Sequence, residues 1–487
     1  MSQWLGGIWL VVGFASLIQL LGLTTQSQDV IKISLNSLKI IGSATLTDDQ
    51  KESQLQKNSQ KLLVLFLVLT IKGAIALMTP LATLWLGDRL GWLSLTEVLA
   101  TTVSPLFIIV SLILTVGILS WQGNNQSDRS LAASSYSQLD RTLHQVAFHT
   151  YSAQIPLANL ETKLLAQQLA NCHNQKPVLI TALPRAGTTL LLECCAQTTE
   201  FAAHCYRDMP FVLTPCLWQR FTAPFQRQVA ATERAHGDGM KINPDSPEAL
   251  EEIIWHTFWQ RHYHCDRIIP WDDKQNQEFT RFFVDHMQKI IYLRRPQAKD
   301  TARYISKNNA NIARIPLIKQ LFPEAIIIVP FRDPLQHANS LLRQHLNFLK
   351  IHRADPFAQE YMAAIGHYDF GENLRPIDFD GWLERRQTPD ATSLGFWLEY
   401  WIASYQYLLQ INPNSLYFFD YDALCSNGDR GLKQLAEIVD SQNPQALISA
   451  ASRIRNPQPK TIDTSKIPLA LVTQANQIRD RLHAVSS

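Results

Sequence analysis

The stretch that most constrains this chain is P-V-L-I-T-A-L-P-R-A-G-T-T-L-L-L, from Pro177 to Leu192. The apolar, β-branched run from Val178 to Ala182 predicts a buried strand. Pro184, Arg185 and Gly187 predict a turn, and the apolar run after Gly187 predicts a helix reaching about Thr198. A strand, a glycine turn and a helix in that order gather the free N–H groups of a helix N-terminus at one point, which attracts a phosphate or sulfate. The hydroxyls of Thr188 and Thr189 and the guanidinium of Arg185 add donors around the same anion. Read alone, such a stretch is also compatible with an ordinary strand-to-helix turn.

The nucleotide-triphosphatase loop G-x-x-x-x-G-K-[ST] is the obvious comparison. Here Ala182 stands in place of the first glycine and Thr188 in place of the phosphate lysine. What remains, P-R-A-G-T-T-L-L, resembles the 5′-phosphosulfate loop of the sulfotransferase family, commonly written P-R-S-G-T-T-L-L. A second stretch strengthens the resemblance. The apolar strand Ala325 to Phe331 runs into Arg332-Asp333-Pro334, and Ser340 follows eight residues after the arginine. In the family, an arginine leaving a strand and a serine on the next helix clamp the 3′-phosphate of the donor, 3′-phosphoadenosine 5′-phosphosulfate (PAPS). A planar guanidinium fork and a hydroxyl two turns into a helix suit that task. Lys307 after a strand, Phe322-Pro323-Glu324-Ala325, and Asp420-Tyr421-Asp422-Ala423-Leu424 also look like family features.

The resemblance covers roughly residues 175 to 460, weakly over 212–300 and 350–395. It implies an α/β fold, a P-loop-like parallel sheet flanked by helices, and PAPS as co-substrate with no metal. Arg185, Ala186, Gly187, Thr188, Thr189 and Leu190 are expected at the 5′ side, Arg332 and Ser340 at the 3′ side. Ala186 departs from the usual serine, and the glycine-rich R-K-G adenine loop is absent, with Arg453-Ile454-Arg455 as a substitute. Sulfonate transfer is an in-line displacement like phosphoryl transfer, so Arg185 and the loop donors are expected to stabilise the leaving phosphate. An acceptor hydroxyl needs a general base. Relatives use a glutamate roughly twenty residues past the loop arginine, and here Asp208, 23 residues after Arg185, is the first choice. An ion pair of Asp208 with neighbouring Arg207 is the competing reading. His204 and His236, beside Gly237, are second choices for the base.

Strands alternating with helices elsewhere in the chain agree with a parallel sheet covered on both faces. Ser246-Pro247-Glu248, followed by Glu251 and Glu252, predicts a helix start with the acids in its first turn. Trp382, Trp397 and Trp401 recur at helical spacing and predict core. Seven cysteines, irregularly spaced and all after residue 170, fit reduced, buried thiols.

Ahead of this lie three apolar runs, Trp4–Leu23, Leu62–Leu86 and Val98–Trp121, which predict about three transmembrane helices. Lys72 interrupts the second, where an unpartnered lysine costs about 2.5–3.5 kcal/mol. Lys32, Lys39, Lys51, Lys57 and Lys61 precede the second run, whereas Arg89 alone follows it, which places the first loop in the cytoplasm. The expected organisation is a membrane anchor over 1–121, a serine-rich linker over 122–140 and an α/β domain over 141–487 facing the cytoplasm. A net charge of +2 argues against a general nucleic-acid binder. The expected activity is multi-pass, membrane-anchored sulfonate transfer from PAPS to a hydroxyl or amine of a small molecule, lipid or glycan. A catalytically inactive nucleotide-binding membrane protein and a divergent P-loop kinase are the alternatives.

Overall fold

The computed structural model describes Ser2 to Ser486, apart from 24–25, 28, 31–32, 34–36, 38–39, 41–47, 103–137, 173–175, 224–231, 234–240, 272–275, 412–415 and 457. Two compact units divide the chain, Met1–Ala132 and Ala133–Ser487.

In the first unit, helix α1 spans Ser2–Leu20, α2 Asp48–Arg89 and α3 Leu95–Thr102. Among the described residues, one helix is long and apolar enough to cross a membrane, Gln54–Arg89; the apolar part of α1, Gly6–Ile18, is shorter. Where about three such helices are expected, the described residues hold this one, and the third run lies mostly outside them. Leu63, Phe66, Leu67, Ile71 and Met78 of α2 are exposed. Lys72 resolves its predicted conflict locally: its Nζ donates to the Leu21 carbonyl at 2.8 Å, just past the end of α1.

The second unit is built on five parallel strands. They are β1 Val178–Ile180, β2 Phe201–Ala202, β3 Arg303–Lys307, β4 Ile326–Phe331 and β5 Tyr417–Asp420, in the order β2-β3-β1-β4-β5. Alternation of side chains along the strands assigns them to two cores. Val178, Ile180, Ile305, Ile326, Ile328 and Phe419 pack on one face of the sheet. Leu179, Tyr304, Ile327, Val329 and Phe331 pack on the other. Each such buried aliphatic contributes about 1.5–3 kcal/mol over leaving it in water. Trp397 and Trp401 are fully buried on the helix Leu394–Gln410 and Trp382 nearly so, as their spacing predicts.

The topology places the site. The chain leaves β1 toward β2 and β3 on one side, then crosses to β4 and β5 on the other, so β1 sits at the switch point, where loops diverge beyond the strand ends. Register sets the heights: Ile180 lies beside Lys307 of β3 and Ile328 of β4. Helix α4, Thr188–Ala196, follows β1, and helix α5, Pro334–Ala354, follows β4. The R-D-P turn is itself a helix start. Asp333 accepts from the Gln336 N–H at 3.0 Å and Pro334 takes the first helical position, which needs no donor.

Candidate functional site

The loop after β1 takes two left-handed residues, Arg185 at φ 70° and Gly187 at φ 94°. Gly187 is required there twice over. Its φ disfavours any side chain, and a Cβ would lie 2.0 Å from Cδ2 of Tyr421. Arg185 holds a left-handed conformation without being glycine, strain of the kind that concentrates at binding sites. From below, His337 of α5 is fully buried, its Nε2 2.8 Å from the Pro184 carbonyl. Burial pushes the His337 imidazole down to about 3, helped by Arg332, so the ring is neutral and its Nε2–H donates.

The two halves that the sequence separates by more than a hundred residues meet here. Arg185 Nε lies 3.5 Å from Ser340 Oγ, and Arg332 Nη1 donates to the Arg185 carbonyl at 3.1 Å. Arg332 is also held by Asp422 at 3.5 Å and stacks 4.8 Å from the centroid of the Tyr421 ring. A cleft of about 470 Å³ opens beside them, a size suited to a nucleotide. Arg185, Gly187, Thr188, Thr189, Leu190, Arg332 and Ser340 all line it. Ala186 is fully buried and does not line the cleft. Arg343, Arg453, Arg455 and Lys460 join Arg185 and Arg332 on the walls, against Glu193 as the acid among the described lining residues. Gln336 holds the last of these walls closed by exchanging two hydrogen bonds with the Lys460 backbone, at 2.8 and 3.1 Å. A dianion is the ligand that such a lining favours.

The structure buries the first choice of base. Asp208 is 1% exposed and lines neither cavity at the loop. Its Oδ1 accepts from Arg294, and its Oδ2 accepts from the Cys205 N–H at 3.0 Å and meets His204 Nδ1 at 3.2 Å. Burial alone pushes the Asp208 carboxyl up, but Arg294 and His204 override it and hold the group well below the usual carboxylate range. A carboxylate so placed neutralises buried charge and holds structure together. Arg207, the competing partner for Asp208, pairs instead with Asp245 at 2.6 Å. His204 is equally buried, stacked on His286 at 5.0 Å. His236 lies outside the described residues.

A second, smaller cavity of about 50 Å³ touches the other side of Arg185, Thr188 and Thr189. Glu248, Lys307, His367 and Asp369 face it, with Phe348 and Phe370 as apolar walls. Burial raises the Glu248 carboxyl, yet Lys307 and His367 bring it to about 2. Burial and Lys307 lower the His367 imidazole, opposed by Glu248 and Asp369. Asp369 is raised by burial and accepts from Asn309 Nδ2 at 3.1 Å. Of these, the sequence singled out Lys307. Glu248 was read as part of a helix start, but the helix begins only at Glu252. Glu251 and Glu252 turn inward, to Tyr304, Ser306 and Asn311 and to Arg314, Tyr263 and Asn308 respectively. These buried carboxylates brace the end of β3 beneath Lys307.

The fold is an α/β domain with a basic cleft at its switch point. Residues 177–370 match the sequence profile of the sulfotransferase family. No curated protein matches the chain. Solved structures similar to it include sulfotransferase STF9 from Mycobacterium avium, at 13% identity over 75% of this chain and 95% of that one, with a TM-score of 0.40. Sulfotransferase STF1 from Mycobacterium tuberculosis H37Rv is similar at 11% identity over 76% and 90%, with a TM-score of 0.35. The sulfotransferase domain of the Synechococcus PCC 7002 olefin synthase is similar at 15% identity over 64% and 96%, with a TM-score of 0.28.

Proposed function

We propose that the chain transfers a sulfonate group from PAPS to a hydroxyl or amine acceptor, from the cytoplasmic face of a membrane to which its first unit attaches it. The convergence of Arg185, Ser340 and Arg332 at the N-terminus of α4 carries the reading, because it supplies two separate phosphate contacts in one cleft. Arg332 and Ser340 suit the 3′-phosphate that sets PAPS apart from ATP. Arg185 and the N–H groups of Gly187 to Thr189 suit the 5′ side, where negative charge grows on the bridging oxygen as the sulfonate departs. The exposed apolar side of α2 supports the membrane address.

Calorimetry on the full chain in detergent tests this. Adenosine 3′,5′-bisphosphate is expected to bind without magnesium and at least ~10-fold more tightly than adenosine 5′-monophosphate, which lacks the 3′-phosphate. Equal affinity for the two would remove the 3′ site, and strict dependence on ATP and magnesium would favour a kinase. Binding of the bisphosphate with no sulfate transfer to any acceptor would favour an inactive nucleotide-binding protein.

A further inference from the structure

His352 brings an observation that the donor cleft does not use. It lines the second cavity and is 3% exposed. Its Nδ1 accepts the backbone N–H of Glu372 at 3.2 Å, which only a lone pair does, so the neutral ring carries its proton on Nε2. Burial lowers the His352 imidazole and keeps it neutral. That Nε2–H is buried with no hydrogen-bond partner among the described residues. Buried donors are nearly always partnered, by protein, by ordered water or by a ligand. The ring stands on the same helix as Ser340, twelve residues further on, about 18 Å along the axis. It therefore serves the end of the cavity away from the phosphate clamp.

His367 occupies the same cavity with Arg185 and Thr188, among Glu248, Asp369 and Lys307. A neutral imidazole flanked by two carboxyl groups is suited to accept a proton, because those groups offset the positive charge it gains.

Resting on the donor reading above, we propose that the second cavity is the acceptor site, in which His367 takes the proton of the attacking hydroxyl and His352 gives its Nε2–H to a second oxygen of the same molecule. The acceptor class is then a polyol unit, a sugar ring or a glycerol headgroup, in preference to a lone alcohol or an amine. As the hydroxyl proton passes to the His367 lone pair, the acceptor oxygen bonds to sulfur. The bond from sulfur to the bridging phosphate oxygen breaks, and its electron pair leaves on adenosine 3′,5′-bisphosphate beside Arg185.

The test uses the full chain in detergent, radioactive PAPS, and three probes with one tail: octyl glucoside, octylglycerol and octanol. Sulfate is expected on the glucoside or the glycerol ether with kcat/KM at least ~10-fold above octanol, and whichever of the two is preferred tells sugar from glycerol. His352→Phe is expected to raise KM for that probe ~10-fold with kcat within ~3-fold, and so to erase the preference. His352→Gln, which keeps an N–H, restores it. His367→Gln is expected to lower kcat by ~10²–10⁴-fold. Unchanged bisphosphate binding in all three variants shows that the fold is intact. Octanol serving as well as the polyols, or full kcat in His367→Gln, overturns the proposal. A wild-type chain that binds the bisphosphate but sulfates none of the probes overturns the acceptor assignment alone. One that does not bind the bisphosphate overturns the donor reading beneath it.

Discussion

Two arginine–carboxylate pairs lie near the ends of this sheet and serve opposite ends. Arg332 lines the basic cleft and lies 3.5 Å from Asp422, with side chains 16% and 44% exposed. Arg294 and Asp208 are 15% and 1% exposed, and both oxygens of the carboxylate are already engaged. The first pair orients an arginine and leaves its charge available to a ligand. The second neutralises a charge that the fold has buried, and little is left over. Arg332 and Asp208 are both read from sequence as site residues in or near a motif, so proximity along the chain does not separate them. Burial does.

The comparison breaks first at Asp208. Asp208→Ala leaves Arg294 facing an empty, buried site and is expected to cost about 3–5 kcal/mol, seen as a lowered denaturant midpoint. Turnover per folded molecule is expected to stay near normal, and its collapse in a stably folded variant would return Asp208 to the role of base. The carboxyl is held below its ordinary value, so its share of the stability is present above about pH 4 and is lost as the pH falls below it. Arg332→Ala reverses the pattern: bisphosphate binding weakens by about 1.5–3 kcal/mol in calorimetry while the unfolding midpoint moves little.

Smaller effects sharpen the contrast. With its value depressed to about 3, the buried neutral His337 stabilises the fold fully above pH 6.5 and progressively less as the pH falls toward 3. At pH 5.5 the loss is on the order of 1 kcal/mol, and His337→Gln is expected to remove that part of the acid slope in denaturant titrations at several pH values. Ser340→Ala, which deletes a single hydroxyl of the clamp, is expected to weaken bisphosphate binding by about 1 kcal/mol, or fivefold. An effect as large as that of Arg332→Ala would mean the hydroxyl also organises Arg185, to which it lies at 3.5 Å.

What was legible in the sequence was local. The donor loop, the R-D-P turn and Ser340 are each contained in a strand, a turn and the following helix, so spacing alone orders them, and the sheet then brings the two loops together. The fate of Asp208 was not legible, because its partner Arg294 lies 86 residues on, on a different element. Nor were His352, His367 and Asp369, which come from a stretch where the resemblance is weak. Their significance lies in burial and in which ring nitrogen is occupied, and no spacing reports either. The three apolar runs show the same limit: composition finds apolar length, while Lys72 finds its partner only once α1 lies beside α2.

Gly187 and Tyr421 finally behave as one unit split across the chain. The ring of Tyr421 fills the space a side chain at 187 would need, and it also carries Arg332 on its face. The tyrosine therefore gauges the loop from outside, keeping the loop backbone and Arg332 at a fixed spacing with one rigid spacer. A change at either position is felt at the loop and at Arg332 together, so the two can drift only in step.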